Sequence, residues 1–428
     1  MTAPAPTGNR LLVVSSDAHA SPPIRVYREF LAKKHHDQYD DYASMVEAYD
    51  AIIEAEAPPK TIFPPLALIG SGGRRHRVAA FTNGGEGMPG LWEPDERLLE
   101  FEDEGIAAEV IFPQGSIPFH PYPARNPMGR PGIAFHADDE MLFAGIRAYN
   151  RWLAQLCNAH PGRRVGVAVV PIDDVGAAVS EVEWARQAGL TSVSVPPVLS
   201  DRLYNDPKYE PFWAACESLE MPLSVHGGGR RDFYGSGPET LALILAETDW
   251  YVRRTLWFLI FAGVFERHQE LKLVFTEQRA HWVPPLLEEL DSIYVRCTKL
   301  GSLSLPRQPS EYFAQSCYIG ASFLSRREAT MRHAIGRDRL MWGSDYPHNE
   351  GTWPWSLDSI RMALSGLPAE DIRLILGENA VRCYGMDQKQ LQEVANRIGP
   401  TLEDVNRPLE TVPEGSDTSW GFRESVWH

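Results

Sequence analysis

Eight short strand-like runs recur along the chain, most of them rich in Val, Ile, Leu and Phe, with helix-patterned segments between them. They cover residues 11–17, 107–113, 164–170, 192–195, 222–226, 271–277, 318–323 and 340–343. Apolar strands without polar alternation are buried on both faces, and strands alternating with helices form a parallel sheet with helical crossovers. Helical spacing covers 95–104, 139–158, 175–187, 207–219, 248–267, 281–296, 326–335, 354–364 and 370–384. This order predicts an α/β fold of the (β/α)8 type, a distorted TIM barrel spanning 11–387, with 388–428 as a C-terminal extension. An open doubly wound sheet is the alternative, but no glycine-rich phosphate turn follows the first strand.

Two stretches interrupt the repeat. Residues 21–94 are a long insertion after the first strand, with a helix expected over 25–56, and residues 115–138 extend the loop after the second. Loops that follow barrel strands lie at the catalytic face, so both are expected to wall or cover a pocket there. The tail 388–428 is polar yet carries Trp420 and Trp427, so it is either disordered or laid along the barrel or a partner subunit.

A chain of 428 residues with 43% apolar residues can bury a large core. Its net charge of −16 argues against nucleic acid or an anionic membrane as partner. The longest apolar run, near 257–264, is too short to span a bilayer, and the first ten residues carry no basic-then-apolar leader pattern. Cys157, Cys216, Cys297, Cys317 and Cys383 are scattered and odd in number, which points to core thiols of a reduced cytoplasmic protein. The acidic surface and the Trp-bearing tail fit a homo-oligomer, a dimer or higher.

Four strands end in residues of metal-ligand type. Asp17-Ala-His19 ends the first strand, and residues two apart on a strand face the same way. His226-Gly-Gly-Gly229 ends the fifth, where glycines leave room around the imidazole. Glu277-Gln278 ends the sixth, a carboxylate out of place in a core. Asp345 ends the eighth, and the loop beyond it carries His348 and Glu350. Taken singly, Asp345 reads equally as a helix cap, and His226 as a hydrogen-bonded core histidine. A barrel closes its eighth strand onto its first, so the set gathers on one rim and points to a metal centre.

The segments Asp17-Ala-His19, Ala148-Tyr-Asn-Arg-Trp-Leu153, His226-Gly-Gly, Phe275-Thr-Glu277 with Trp282-Val-Pro284, Trp342-Gly-Ser-Asp-Tyr-Pro-His348, Gly351-Thr-Trp-Pro354 and Gly377-Glu-Asn-Ala380 with Tyr384-Gly385 resemble the amidohydrolase-related family. The similar branch includes aminocarboxymuconate-semialdehyde decarboxylase and the resorcylate-type decarboxylases. The resemblance implies a distorted barrel with a divalent ion, often zinc, held by Asp17, His19, His226 and Asp345. It implies hydrolysis, or removal of CO2 without oxidation. Two positions depart from the family pattern. Glu277-Gln278 stands where a histidine commonly follows strand six, and residues 191–197 offer no lysine after strand four.

The resulting set, Asp17, Glu277 and Asp345 with His19, His226 and His348, is rich in oxygen. It would hold one zinc or manganese ion, with Glu277 or His348 moving the proton, or two ions bridged by a carboxylate. The leading expectation is a metal-dependent hydrolase or decarboxylase acting on a small organic acid or its ester, lactone or thioester. The alternative is an oxygenase with a dinuclear iron centre. Arg230 and Arg231 are candidates to clamp a substrate carboxylate, and His120 and Trp353 to line the pocket.

Overall fold

The computed structural model describes residues 10–56, 67–69, 75–77, 89–114, 117–120, 135–198, 202–227, 238–322, 324–348, 350–414, 416, 418 and 420–423. Eight parallel strands form one sheet in strict chain order. They are β1 (Val14–Ala20), β2 (Ala108–Pro113), β3 (Arg164–Val169), β4 (Ser192–Ser194), β5 (Leu223–His226), β6 (Leu273–Thr276), β7 (Cys317–Ala321) and β8 (Leu340–Trp342). Every expected strand is present. β1 begins and ends three residues later than expected, so Asp17 and His19 lie within it. A two-stranded antiparallel ladder, Ala67–Ile69 with Arg75–Arg77, lies inside the insertion.

The sheet curls into a barrel whose seam is irregular. β8 and β1 share no regular ladder; one parallel bridge joins Ala18 to Tyr346. Around it, the Asp345 N–H donates to Asp17 O at 3.0 Å, His19 N–H to Tyr346 O at 2.6 Å, and Ser344 N–H to Ser15 Oγ at 2.9 Å. The register of β1 against β2 shifts between Ser15 and Ala18, a bulge that re-aims the strand end.

Side chains divide between two cores. Val14, Val110, Phe112, Val165, Val167, Val274, Tyr318 and Met341 pack together with Tyr384, Leu391 and Ala395. The other face of the sheet packs on the helices through a larger cluster that includes Ile111, Ala168, Val193, Leu223 and Phe275. Helices Asp139–Asn158 and Val175–Gln187 match their expected spans, capped by Asp138 and Asp174.

Several boundaries differ from expectation. The helix expected over 25–56 is two 3-10 turns, Ile24–Phe30 and Lys33–His35, and then a helix His36–Glu56. The chain runs extended at Leu31 and Ala32, which lets Tyr27 and Leu31 both be buried. The helix expected from 248 starts at Thr240, and a helix Pro309–Ser316 was not expected. The helix expected from Pro354 begins at Ser356.

The tail is ordered against the barrel. Helix Gln388–Ile398 buries Leu391, Val394 and Ala395, and Arg10 bridges antiparallel to Thr401. Phe422 is fully buried. Disorder is therefore excluded for these described residues, because apolar side chains spaced along the tail find cover on the barrel. No helix among the described residues is long and apolar enough to cross a membrane.

One ionic network fastens the barrel to the segment that precedes β2. Arg97, on helix Pro94–Asp103, is fully buried. It donates to both carboxylate oxygens of Glu109 on β2, at 2.6 to 3.0 Å, and through Nη1 to the carbonyls of His19 and Gly90. Arg164 Nε also reaches Glu109 at 3.3 Å, but losing Arg97 strips this buried carboxylate of its shortest charged hydrogen bonds. Arg97→Met is expected to destabilise the fold by about 3–5 kcal/mol, read as a lower denaturant midpoint.

Glu104 secures the other side of the seam by accepting from Ser356 N at 2.8 Å, at the start of the helix after β8. Burial pushes its carboxyl from 4.5 up to about 7. The folded state thus binds this proton more tightly than the unfolded chain. The contribution is complete below about pH 4 and is lost as pH rises through about 7. Glu104→Gln is expected to flatten the fall in stability across that window, measured by urea titrations at successive pH values.

Candidate metal centre

The barrel seam brings the ligand-type residues together. Asp17 and His19 on β1, His226 at the end of β5 and Asp345 just past β8 gather at the barrel mouth. His19 Nε2 lies 3.2 Å from Asp345 Oδ1 and 3.6 Å from Asp17 Oδ1, and His226 Nε2 lies 3.4 Å from Asp17 Oδ1. Asp345 and Glu277 both adopt left-handed backbone, with φ of 55° and 56°. Such conformations in residues other than glycine are costly and concentrate at functional sites.

Hydrogen bonds fix the imidazole tautomers. His19 Nδ1 donates to Pro113 O at 3.0 Å, and His226 Nδ1 donates to Gly227 O at 3.0 Å. Each ring therefore turns its Nε2 toward carboxylate oxygen, and the facing lone pairs repel unless a proton or a metal ion lies between them. Asp17 Oδ1, His19 Nε2, His226 Nε2 and Asp345 Oδ2 are all buried without a hydrogen-bond partner among the described residues. Four such atoms on one rim contradict the rule that buried polar groups are paired. A divalent ion with bonds of about 2.0–2.2 Å resolves the conflict, since neighbouring ligands of such an ion stand about 3–3.5 Å apart. The residues fit a metal.

The neighbours orient these donors. Ser322, just beyond β7, donates to Asp17 Oδ2 at 2.5 Å. Ser15 Oγ donates to Asp17 O at 2.6 Å. Phe112 places its ring 4.6 Å from His226, forming a dry floor. Glu277 Oε2 stands 3.3 Å from His226 Nδ1. Gly227 makes that approach possible, because a Cβ there would sit 2.3 Å from Glu277 Oε2.

His348 differs from the other two histidines. Its Nδ1 meets Asp345 Oδ1 at 2.8 Å and its Nε2 meets Gln114 Oε1 at 2.9 Å. With an acceptor on each nitrogen it is an imidazolium. Burial opposes that charge, but Asp345 outweighs it and raises His348 to about 10. Asp345 in turn falls well below the carboxylate range: burial would raise it, and the His348 and His19 rings outweigh that. Burial also opposes charge on His226, yet Glu277 and Asp17 raise it to about 9, so a metal ion would have to displace a proton from its Nε2. Glu277 is raised, chiefly by burial.

A second group overlaps the first. Glu277, Asp345, His348 and Glu350 present ligand atoms within 4.8 Å of one another, with Asp345 shared between the groups.

The remaining candidates are Arg230, Arg231, His120 and Trp353. Arg230 and Arg231 lie outside the described residues. His120 Nδ1 lies 3.1 Å from Pro118 O within its own loop. Trp353 is buried edge-on against Tyr346, with ring centroids 5.3 Å apart, supporting the strand-eight loop from behind. Ser322 and Gln114 escaped the sequence reading because a serine and a glutamine at strand ends carry no ligand signal of their own. Their role is visible only once Asp17 and His348 are placed beside them.

A family model described as amidohydrolase matches residues 17–386. The chain is 24% identical over 235 residues to a gamma-resorcylate decarboxylase from Rhodococcus jostii strain RHA1, covering 51% of this chain and 71% of that protein. It superposes on an amidohydrolase from Mycobacterium avium subsp. paratuberculosis K-10 with a TM-score of 0.63 and 21% identity, covering 89% of this chain and 100% of the other. It also superposes on a 5-carboxyvanillate decarboxylase from Novosphingobium aromaticivorans DSM 12444, complexed with manganese and 4-hydroxy-3-methoxy-5-nitrobenzoic acid. There the TM-score is 0.61 at 15% identity, with 88% and 96% of the two chains covered. At these identities the superpositions establish the barrel.

His226→Ala and Asp345→Asn are each expected to abolish stoichiometric binding of a divalent ion. Ser322→Ala is expected to weaken it about 10- to 100-fold. Metal content after gel filtration, alongside circular dichroism to verify folding, checks both; a folded His226→Ala protein that keeps its ion places the metal elsewhere.

Proposed function

The chain belongs to the amidohydrolase family, and we propose that it is a divalent-metal enzyme that removes the carboxyl group of a hydroxylated aromatic acid as CO2, without oxidation. The observation that carries the metal-dependent part is the convergence of four buried, unpartnered donors from Asp17, His19, His226 and Asp345. The gamma-resorcylate decarboxylase relative supports the aromatic acid.

Asp17, His19, His226 and Asp345 would hold the ion, which when bound supplies a Lewis acid for the substrate's oxygens. Pro113 O and Gly227 O keep the two imidazoles in the ligating tautomer. Glu277, half-buried beside His226, gives its proton to the ring carbon that bears the carboxylate. The bond from that carbon to the carboxylate then breaks, its electron pair restores the aromatic ring, and CO2 leaves. Phe112 keeps water from the reacting face. His348, held between Asp345 and Gln114, fixes the Asp345 carboxylate and offers a positive charge to an anionic substrate.

A second reading is favoured by the overlapping group of Glu277, Asp345, His348 and Glu350. In it Asp17, His19, His226 and Asp345 together with Glu277, His348 and Glu350 would hold two ions, which as iron would supply O2 activation in place of decarboxylation. His348 would then surrender one of its two protons to become a ligand.

Manganese-loaded protein incubated with gamma-resorcylate is expected to release CO2 and consume no O2. Glu277→Gln should lower kcat by about 10²- to 10⁴-fold while retaining the ion. Nearly two irons per chain, with O2 uptake in the presence of a reductant, would replace decarboxylation with the second reading.

A further inference from the structure

Beside β6, outside the ligand cluster, three guanidiniums meet two carboxylates. Asp249 Oδ2 accepts from Arg253 Nη2 at 2.9 Å and from Arg279 Nη2 at 3.2 Å. Glu328 is buried and already well supplied with donors. It accepts from the backbone N–H groups of Ala280 and Ser325 and from Ser325 Oγ, at 2.7 to 3.0 Å, and it also pairs with Arg423. Arg253, Arg279 and Arg423 set against Asp249 and Glu328 leave one positive charge in excess.

The donors that remain have nowhere to go. Arg253 Nε, Arg279 Nε, Arg423 Nη1 and Trp282 Nε1 are buried without an acceptor among the described residues. The groups are contiguous. Arg253 lies over the Trp282 ring at 5.0 Å, Arg253 and Arg279 share Asp249, and Arg423 pairs with the carboxylate that binds the backbone next to Arg279. Burial holds the Arg253 and Arg423 guanidiniums below their ordinary value. Buried charged donors without acceptors are unfavourable, and an excess guanidinium is best met by an oxyanion, whose oxygens match its planar fork.

We propose that Arg253, Arg279, Arg423 and Trp282 form a binding site for a small oxyanion, a carboxylate or a phosphate. The site lies between the two loops that matter for chemistry. Arg279 is two residues from Glu277. Arg423 belongs to the C-terminal segment in which Gly421 N–H donates to Glu350 O at 2.9 Å. That segment is anchored by Phe422, buried edge-on against Trp355 with ring centroids 6.4 Å apart. The tail thus completes the site, and an anion in it ties the β6 loop to the β8 loop. Two sources share this chemistry: a second acid group on the substrate, and free phosphate.

Thermal melting and titration calorimetry of the full metal-loaded chain with inorganic phosphate test the proposal without requiring turnover. The melting temperature is expected to rise with phosphate. Arg279→Met and Arg423→Met should each weaken phosphate binding about tenfold or more, and Arg423→Lys should restore part of it. Competition of phosphate with 5-carboxyvanillate, which carries two carboxylates, but not with gamma-resorcylate, which carries one, would support the site as a substrate subsite, and independent binding of both would support a free-phosphate site. No phosphate-dependent rise, or a rise that Arg279→Met retains in full, overturns the proposal; the latter result places the anion at the metal centre. Arg279 is the most exposed of the three arginines, so its variant remains informative if Arg423→Met fails to fold.

Discussion

Two carboxylates, Asp17 and Asp345, are buried at the seam where the barrel closes, and both lie within 3.6 Å of the same imidazole nitrogen. The backbone enforces this, because the Asp345 N–H donates to Asp17 O across the seam. Closing the barrel therefore concentrates negative charge in a region of low dielectric. That charge is unfavourable without a cation, and the surrounding structure is arranged so that a cation is what relieves it. His19 and His226 spend their Nδ1 protons on backbone carbonyls and present lone pairs to the same point.

The supports of this arrangement extend well beyond the ligands. Arg97 bonds the carbonyl of His19 from beneath, so a buried ion pair with Glu109 also fixes the end of β1. Ser15 and Ser344 bond each other across the seam at 2.9 Å. Positive φ at Asp345 and Glu277 turns each strand end sharply enough to present its carboxylate to the mouth. The C-terminal segment, bonded to Glu350 and Glu328, braces the same loops from outside. Strain at the rim is thus balanced by ordinary packing and hydrogen bonding in the scaffold.

Much of this was legible in the chain. Apolar runs separated by helical spacing located all eight strands, because strands buried on both faces have no reason to alternate in polarity. Asp17, His19, His226, Glu277 and Asp345 stood out because a ligand-type residue at the end of a buried strand has no place in a core. The tail was ambiguous: its composition is polar, and although Leu391, Val394 and Ala395 are spaced along one face of a helix, that spacing does not reveal what covers the face. The supports Ser322, Gln114 and Arg97 were invisible for a related reason. Each acts on a residue far away in sequence, and a serine or an arginine read in isolation predicts solvent.

The sequence by itself determined the barrel and the rim on which the ligand-type residues gather, since these follow from residue type and from spacing along the strands. Only the tertiary structure decided which nitrogen of each histidine faces the centre and that His348 is committed at both of its nitrogens. It alone showed that Arg253, Arg279 and Arg423 meet with more donors than acceptors. Those facts depend on pairs of atoms brought together across the closed barrel from distant parts of the chain, and no local pattern encodes such distances.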